Sequence, residues 1–396
     1  MNWRDYYRMT DVMVMEHEET KKRTTIPGMS RSSYLRIFVF CSFIIACWSF
    51  FQFWYPYHFF YQEQNQIFLW SGDYIQSYFD KPGGTARLIG DFLTQFYYYL
   101  FAGATILTVC ILAIGLLFYR ICWRLRVNQW ISLGLSLAVM GLVAVFHFST
   151  NYRLSSTISV LGWMILIWLA SLCRDIRPRV SEKTWSEHTR AYVPTVLAIV
   201  VAYLLFGWPQ VKRIQMPDLI LEKNFAIDNE YYFGHHDKVI EMVKNAEGWN
   251  DQMLFFYNLV WAHCGELPDH LLDFTPNYLG TFEKIGPETP RLTIVNMNEL
   301  YWLLGDMTFT ERAAMMTNVF SPDNRNVRMI RRLAECNIVS GDSLAAEKYL
   351  RILDKTLAYR RWAENLRQHG QDIYADKISM VNRHDTITTS DNAHFL

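Results

Sequence analysis

Charged side chains are scarce in the first half of this sequence. Residues 37–211 carry 11 basic and 7 acidic groups, and the window from Phe92 to Tyr119 carries none. A water-soluble domain of that size would need a polar surface that this stretch cannot supply. Cysteine is sparse as well, 7 in 396 residues, which excludes a disulfide-built scaffold. Beta-branched alternation is missing from the C-terminal half, so no sheet is expected there. The chain has no GxxxxGK[ST], HExxH, GxSxG or CxxC. A phosphate loop, a zinc-protease helix, a nucleophile elbow and a paired-thiolate site therefore have no basis in the sequence. Lys and Arg total 38 and so do Asp and Glu, so no global field draws the chain to nucleic acid. No nucleic-acid partner, cofactor or metal is expected.

What is present is apolar and aromatic. Hydrophobic residues make up 51% and Phe, Trp and Tyr 16%, which excludes a disordered chain. Five stretches reach the roughly 20 apolar residues that cross a bilayer. They run from Ile37 to about Trp54, Phe96 to Tyr119, Trp130 to Thr150, Leu154 to Cys173 and Ala191 to Gln210. Trp54, Tyr97 to Tyr99, Trp123, Trp130 and Trp208 gather at their ends, the headgroup depth that such rings favour. His147 is the one ionisable group inside a span and is read as structural. Without buried Asp, Glu, Lys or Arg, a pump or secondary transporter is not expected.

Basic residues are shared unevenly between the loops. Seven precede the first span, three (Arg120, Arg124, Arg126) separate spans two and three, and five separate spans four and five. The opposite side has only Lys81 and Arg87 in a long loop and Arg153 in a tight turn. This asymmetry places the N-terminus in the cytoplasm and, with five spans, the C-terminal domain across the membrane. The expected localisation is the bacterial inner (cytoplasmic) membrane, multi-pass. Residues 1–35 form a cytoplasmic tail, 36–211 the five-span membrane domain, 212–383 a periplasmic soluble domain and 384–396 a flexible tail. The first span leads into FFQFWYPYHFFY, which offers no small-residue cleavage site, so it reads as an uncleaved anchor. Met29 would serve as a start as well as Met1.

Between spans one and two, residues 55–95 carry Glu63, Asp73, Asp80 and Asp91 among aromatic residues. Phe59, Phe60, Ile67, Phe68, Leu69 and Trp70 give its segments an apolar side that suits the membrane interface. One reading is an aromatic collar over the bundle with its acids in water. The other is a site at the membrane surface, with Glu63 in a cluster of Gln and Asn, and with Asp73 and Asp80 on one face if a helix joins them. Over residues 36–120 the layout resembles the multispan lipid-dependent glycosyltransferases. That resemblance implies an acidic residue of the first outer loop acting as a base or holding a metal.

Residues 212–396 read as helical, with apolar residues at intervals of three and four. DKVIEMVKNA (237–246) has one apolar face. Asn250 or Asp251 caps MLFFYNLVWAHC, which ends at Gly265. Leu267-Pro268-Asp269 starts another helix, a further pair begins near Asn298, and Ser321-Pro322-Asp323 ends it and caps the next. In RMIRRLAECNIVSGDSLAAEKYLRILDK (328–355), Leu333, Ala334, Asn337, Gly341, Ala346, Leu350 and Leu353 resemble a tetratricopeptide repeat. A weaker copy runs through Tyr257, Asn258, Trp261, Gly265, His270 and Phe274. The fold class is therefore all-α: five transmembrane helices followed by a soluble helical-hairpin, tetratricopeptide-like domain. The segments YPYHFFYQEQNQIF, GDFLTQF and NLVWAHCGELPD resemble a family of uncharacterised multispan bacterial inner-membrane proteins over most of residues 36–365, and this resemblance implies no activity.

Few residues point to chemistry. Arg328, Arg331 and Arg332 concentrate positive charge in an acidic domain; they are either solvated helix faces or a binding site for an anionic polymer or headgroup. His235-His236-Asp237 reads as a solvated helix start. Cys264 and Cys336 read as buried free thiols, or as a disulfide. The leading reading is a membrane scaffold, not an enzyme, whose outer domain binds a protein or envelope component, with the lipid bilayer as its other partner. The alternative is a lipid-linked glycosyl or envelope-polymer transferase using Glu63, Asp73 and Asp80.

Overall fold

The computed structural model describes residues 31–80, 82–125, 127–175, 216–274, 289 and 291–387. Every regular element among them is helical. The first seven are α1 (Arg31–Ser49), α2 (Tyr57–Gln64), α3 (Gly72–Gln76), α4 (Gly84–Thr94), α5 (Ala102–Arg124), α6 (Gln129–Phe146) and α7 (Leu154–Asp175). After residue 216 come α8 (Leu219–Tyr232), α9 (His236–Lys244), α10 (Asp251–Cys264), α11 (Leu267–His270), α12 (Arg291–Leu304) and α13 (Met307–Phe320). The last four are α14 (Val327–Val339), α15 (Ser343–Leu353), α16 (Arg360–Ile373) and α17 (Ala375–Ile387). The expected fifth span, the alternative starts Met1 and Met29, and most of the expected C-terminal tail lie outside the described residues. The expected boundary at 383 falls inside α17.

Among the described residues, four helices are long and apolar enough to cross a membrane: Tyr34–Trp54, most of α1 continued by a π-helical turn, then α5, α6 and Leu154–Leu172 of α7. They are apolar on all sides, and Phe38 and Trp163 point outward with 67% and 68% of their surface exposed. Such faces match hydrocarbon and not water. Inside, Phe51, Leu107, Ile111, Ile114, Met140, Val143 and Leu154 form one core. The Ser136 hydroxyl donates to the Gly115 carbonyl at 2.7 Å, an interhelical bond of the kind that replaces hydrophobic drive in lipid.

The ends of these helices sort into two groups. Arg36 at the start of α1 meets Gln129 at the start of α6. Arg124 at the end of α5 donates to the Ser171 carbonyl in the last turns of α7 at 3.3 Å. At the opposite end, Trp48 donates to Thr105 (3.1 Å) and the Tyr55 hydroxyl donates to the Phe148 carbonyl (3.0 Å). His147 lies just past α6, buried, with its Nε2 at 2.7 Å from the Thr157 hydroxyl, which fits the structural reading.

The 55–95 segment differs from a collar with its acids in water, since Glu63 and Asp91 are buried. Phe59, Phe60, Ile67 and Phe68 are buried by protein and not laid on a membrane, although Trp70 stays exposed. Phe59 joins the bundle core and Phe68 packs on Tyr74 and Tyr78 of the same loop, whereas Phe60 and Ile67 meet the C-terminal segment. Glu222 of α8 accepts from the backbone N–H groups of Tyr57 and His58, and so caps the first turn of α2 from 165 residues away. Tyr61 stacks on Phe225 at 4.2 Å, and Trp70 N donates to the Lys355 carbonyl at 2.8 Å. Ile67 joins Val327, Leu353, Tyr359 and Leu366 in a shared core. The side-chain oxygen of Asn65 accepts from Arg291, Ser321 and Asn326. Arg87 and Arg153 converge on Asp323 at 3.1 and 2.7 Å.

In the C-terminal segment, helices pack mainly on their sequence neighbours. Asn250 caps α10 and Gly265 ends it with φ of 80°, as the sequence suggested. The Asn298 boundary was misplaced: α12 starts at Arg291 and turns into α13 at Gly305, φ 78°. Gly305-Asp306 and Gly341-Asp342 are the same device, about 36 residues apart. In each, a glycine in the left-handed region precedes an Asp that accepts from the N–H three residues on, Phe309 or Ala345. Asp323 caps nothing; Asn326 caps α14, and Asp323 has turned to the membrane-side arginines. Cys264 is exposed and Cys336 buried, and both are free, which removes the proposed disulfide.

Candidate functional site

Helix α14 lies at the centre of the C-terminal segment, and all of its residues except Arg331 are buried. Val327, Ile330, Ala334 and Ile338 face α15 and α16. Met329 and Leu333 meet Val295 and Ala314, and Cys336 and Val339 meet Met307. The remaining stripe is charged: Arg328, Arg331, Arg332 and Glu335, spaced i, i+3, i+4 and i+7. These arginines are not a solvated face. Arg328 is 2% exposed and Arg332 9%.

Three carboxylates answer them. Arg328 Nη1 donates to both Asp228 oxygens (3.0 and 2.8 Å), and its Nη2 donates to Glu299 at 2.9 Å. Arg332 reaches Glu299 at 2.6 Å, Glu335 at 2.9 Å and Asn298 at 3.2 Å. Arg331 donates to Glu335 at 3.1 Å and to the Tyr232 hydroxyl at 2.7 Å. Aromatic rings hold the guanidinium planes. Arg328 and Arg331 lie 4.7 and 5.3 Å from the Tyr232 ring, Arg331 4.6 Å from Trp362, and Arg332 4.4 Å from Trp302. Burial pushes Glu299 up, but Arg332 and Arg328 outweigh it and hold its carboxyl below the usual range. Burial, with Arg332 nearby, lowers the Lys377 ammonium, which lies 5.5 Å from the Trp302 ring.

Taking such charges out of water costs several kcal/mol per ion, and apolar side chains of similar volume are often as stable. The network also does not close into a packed core. Tyr231, Tyr232, Trp302 and Tyr374, with Glu299, Glu335 and the three arginines, line a cavity of about 220 Å³. Its volume equals about seven waters.

The acidic candidates are not brought to this cavity. Glu63 is buried and accepts from the Tyr359 hydroxyl at 3.1 Å. Burial pushes its pKa up to about 8, and the Tyr359 bond opposes the shift. The space beside it, lined also by Gln66, Gln95 and Thr356, is about 20 Å³, room for one water. Asp73 and Asp80 are exposed, and α3 ends at Gln76, so the helix that would have aligned them is absent. Asp91 is buried instead, accepting from Tyr78 at 2.7 Å; Tyr78 meets Tyr74 at 2.7 Å, and Arg325 donates to Tyr74 at 2.9 Å. His235 pairs with Glu230 at 2.6 Å.

The sequence names the three arginines as a binding candidate, and the structure places beside them Asp228, Glu299, Glu335, Tyr232 and Trp302, which the sequence reading did not name. One signal was available: four charges at i, i+3, i+4 and i+7 on a helix whose other faces are all apolar. No curated protein and no solved structure matches the chain. The family DUF6057, described as a family of unknown function, matches residues 32–211 and 191–396. Because these matches together span nearly the whole chain, the protein belongs to the DUF6057 family.

Proposed function

We propose that this protein is a membrane-anchored binding scaffold, whose tetratricopeptide-like outer domain holds an envelope component at the α14 arginine cavity. The observation that carries this reading is the buried ion network opening on that cavity, in a domain clamped to the 55–95 loop. Left-handed glycines at 234, 265, 305 and 341 close successive helix pairs, which supports repeat architecture. Ala334 and Ala346 lie buried together in the shared core, where small side chains let the helices of a repeat approach.

A fifth crossing and a periplasmic position belong to the same proposal. Helix α7 ends beside Arg124, about 30 Å of helix away from its start near the loop. By Glu222 the chain is back at that loop. A return across the bilayer between Asp175 and Met216 accounts for this. With the basic termini on the cytoplasmic side, the outer domain then faces the periplasm of a bacterial inner membrane. The transferase alternative draws support from the raised pKa of Glu63, but the one-water space beside that carboxyl leaves no room for a sugar.

A photo-crosslinking amino acid introduced at Trp362, beside Arg331, tests the reading in intact cells. The expected result is an adduct with an envelope component that does not form when the same group is placed at exposed Lys348. Identical adducts from both positions, or none from Trp362, would argue against a binding site at this cavity.

A further inference from the structure

We infer that the α14 cavity takes an oxyanion, the phosphate or carboxylate group of its ligand; the inference rests on the reading of that cavity as the binding site. Charge balance is the first argument. Three arginines line the cavity, but only two carboxylates, Glu299 and Glu335, line it with them. Asp228 holds Arg328 from behind, on the side of α8 that faces Gln64 and Asn65, and is not part of the lining. The lining therefore shows three guanidinium groups to two carboxylates, with Asp228 balancing Arg328 from outside it and the Lys377 ammonium 5.5 Å from the Trp302 ring.

Unused donors are the second argument. Arg328 is 2% exposed, and its Nε has no hydrogen-bond partner. A buried donor left unmade costs about 1–3 kcal/mol, and an arriving oxygen would recover it. Arg331 is the most open of the three, with 27% of its side chain exposed, and places its guanidinium at the mouth.

Shape and stacking are the third argument. Of the four aromatic rings that line the cavity, Tyr232 and Trp302 already have cations over them. Beside them stand three guanidinium groups, whose planar donor sets match phosphate and carboxylate, with Tyr231 and Tyr374 completing the wall. About seven waters' worth of space admits such a group with a few attached atoms.

The test uses the full chain in phosphatidylcholine nanodiscs, titrated by calorimetry with four probes: inorganic phosphate, glucose 1-phosphate, glucuronate and glucose. The expected result is saturable binding of at least one of the three anions and none of glucose. Whichever anion binds more tightly identifies the source as a phosphate ester or a carboxylate. Arg331→Gln should weaken that binding at least tenfold, and Arg331→Lys should restore part of it; Arg331 is chosen because its partial exposure spares the buried core. A circular dichroism melt of each variant separates lost binding from lost fold. Binding of glucose equal to that of its acid derivatives, no binding of any anion, or an affinity unchanged in Arg331→Gln would overturn the inference. Cavity-specific adducts in cells together with no anion binding would leave the scaffold standing and remove only the oxyanion.

Discussion

The Tyr359 hydroxyl donates to Glu63 Oε2 across 3.1 Å, joining α2 at the membrane face to the turn before α16, 296 residues on. Both side chains are buried. This contact, the Glu222 cap on α2 and the Arg87 and Arg153 pairs with Asp323 make the 55–95 loop and the C-terminal segment one body. The arginine cavity is held to the same body, since Arg328 also reaches Gln64 of α2 at 3.4 Å.

That joint should be sensitive to pH. Burial raises both Glu63 and Glu222 to about 8 from an ordinary 4.5, so between those values the folded chain keeps protons that the unfolded chain has lost. Stability from these groups is present at low pH and is lost as pH rises from about 4.5 to 8. His58 has the opposite sign: burial lowers it from 6.5 to about 3, and its contribution is lost as pH falls through that window. The melting temperature should therefore decline above about pH 6.5. Glu63→Gln, which keeps an acceptor for Tyr359, should flatten that decline and melt higher than wild type at pH 8. One group contributes at most about 1.4 kcal/mol per pH unit. An unchanged slope in the variant would mean that Glu63 is ionised in place.

The α14–α15 hairpin makes a second prediction. Ala346 is 3% exposed and packs in the core shared with Ala334 and Leu350. Ala346→Leu should overpack that contact and cost roughly 1–3 kcal/mol in denaturant unfolding. Lys348→Ala, on the exposed face, should change stability by less than about 0.5 kcal/mol. Equal costs would contradict a close helix pair at this point.

A third concerns autonomy. Charged surfaces and capped helices in residues 212–383 suggest a domain that folds alone, yet Ile67 sits in its core and α2 supplies partners to Phe225, Tyr232 and Glu222. A fragment of residues 216–387 exported by itself should bind the dye ANS and melt without a sharp transition, while the full chain melts cooperatively. A dye-free, cooperative fragment would show that the loop contacts add little.

The parts legible in the sequence were those written locally. Four of the five apolar runs, the Asn250 cap and the helix end at Gly265 depend on neighbours within a few residues, and among the described residues they stand near where the pattern put them. Gly305-Asp306 carries the same signal inside the helix pair read from Asn298 to Phe320, whose first helix begins earlier, at Arg291. The burial of Arg328 could not be read in this way, since its carboxylates lie 100 and 29 residues away on other helices. A single sequence distinguishes a charged stripe from a solvated one only when its partners are known. Asp323 misled for a related reason: Ser-Pro-Asp is a capping pattern, but the pull of Arg87 and Arg153 from the membrane side decides where the carboxylate points.

The most direct test of the account is whether the outer domain sits on the membrane ends of α6 and α7 in the living membrane. With Arg153→Cys and Asp323→Cys combined in a Cys264→Ser background, a short membrane-impermeant bis-maleimide reagent should link the two positions in intact spheroplasts. The link would show as one crosslinked species that survives proteolysis between them. If both thiols react singly with the reagent and no link forms, the outer domain is not seated on the bundle, and the cavity is not part of one body with the loop.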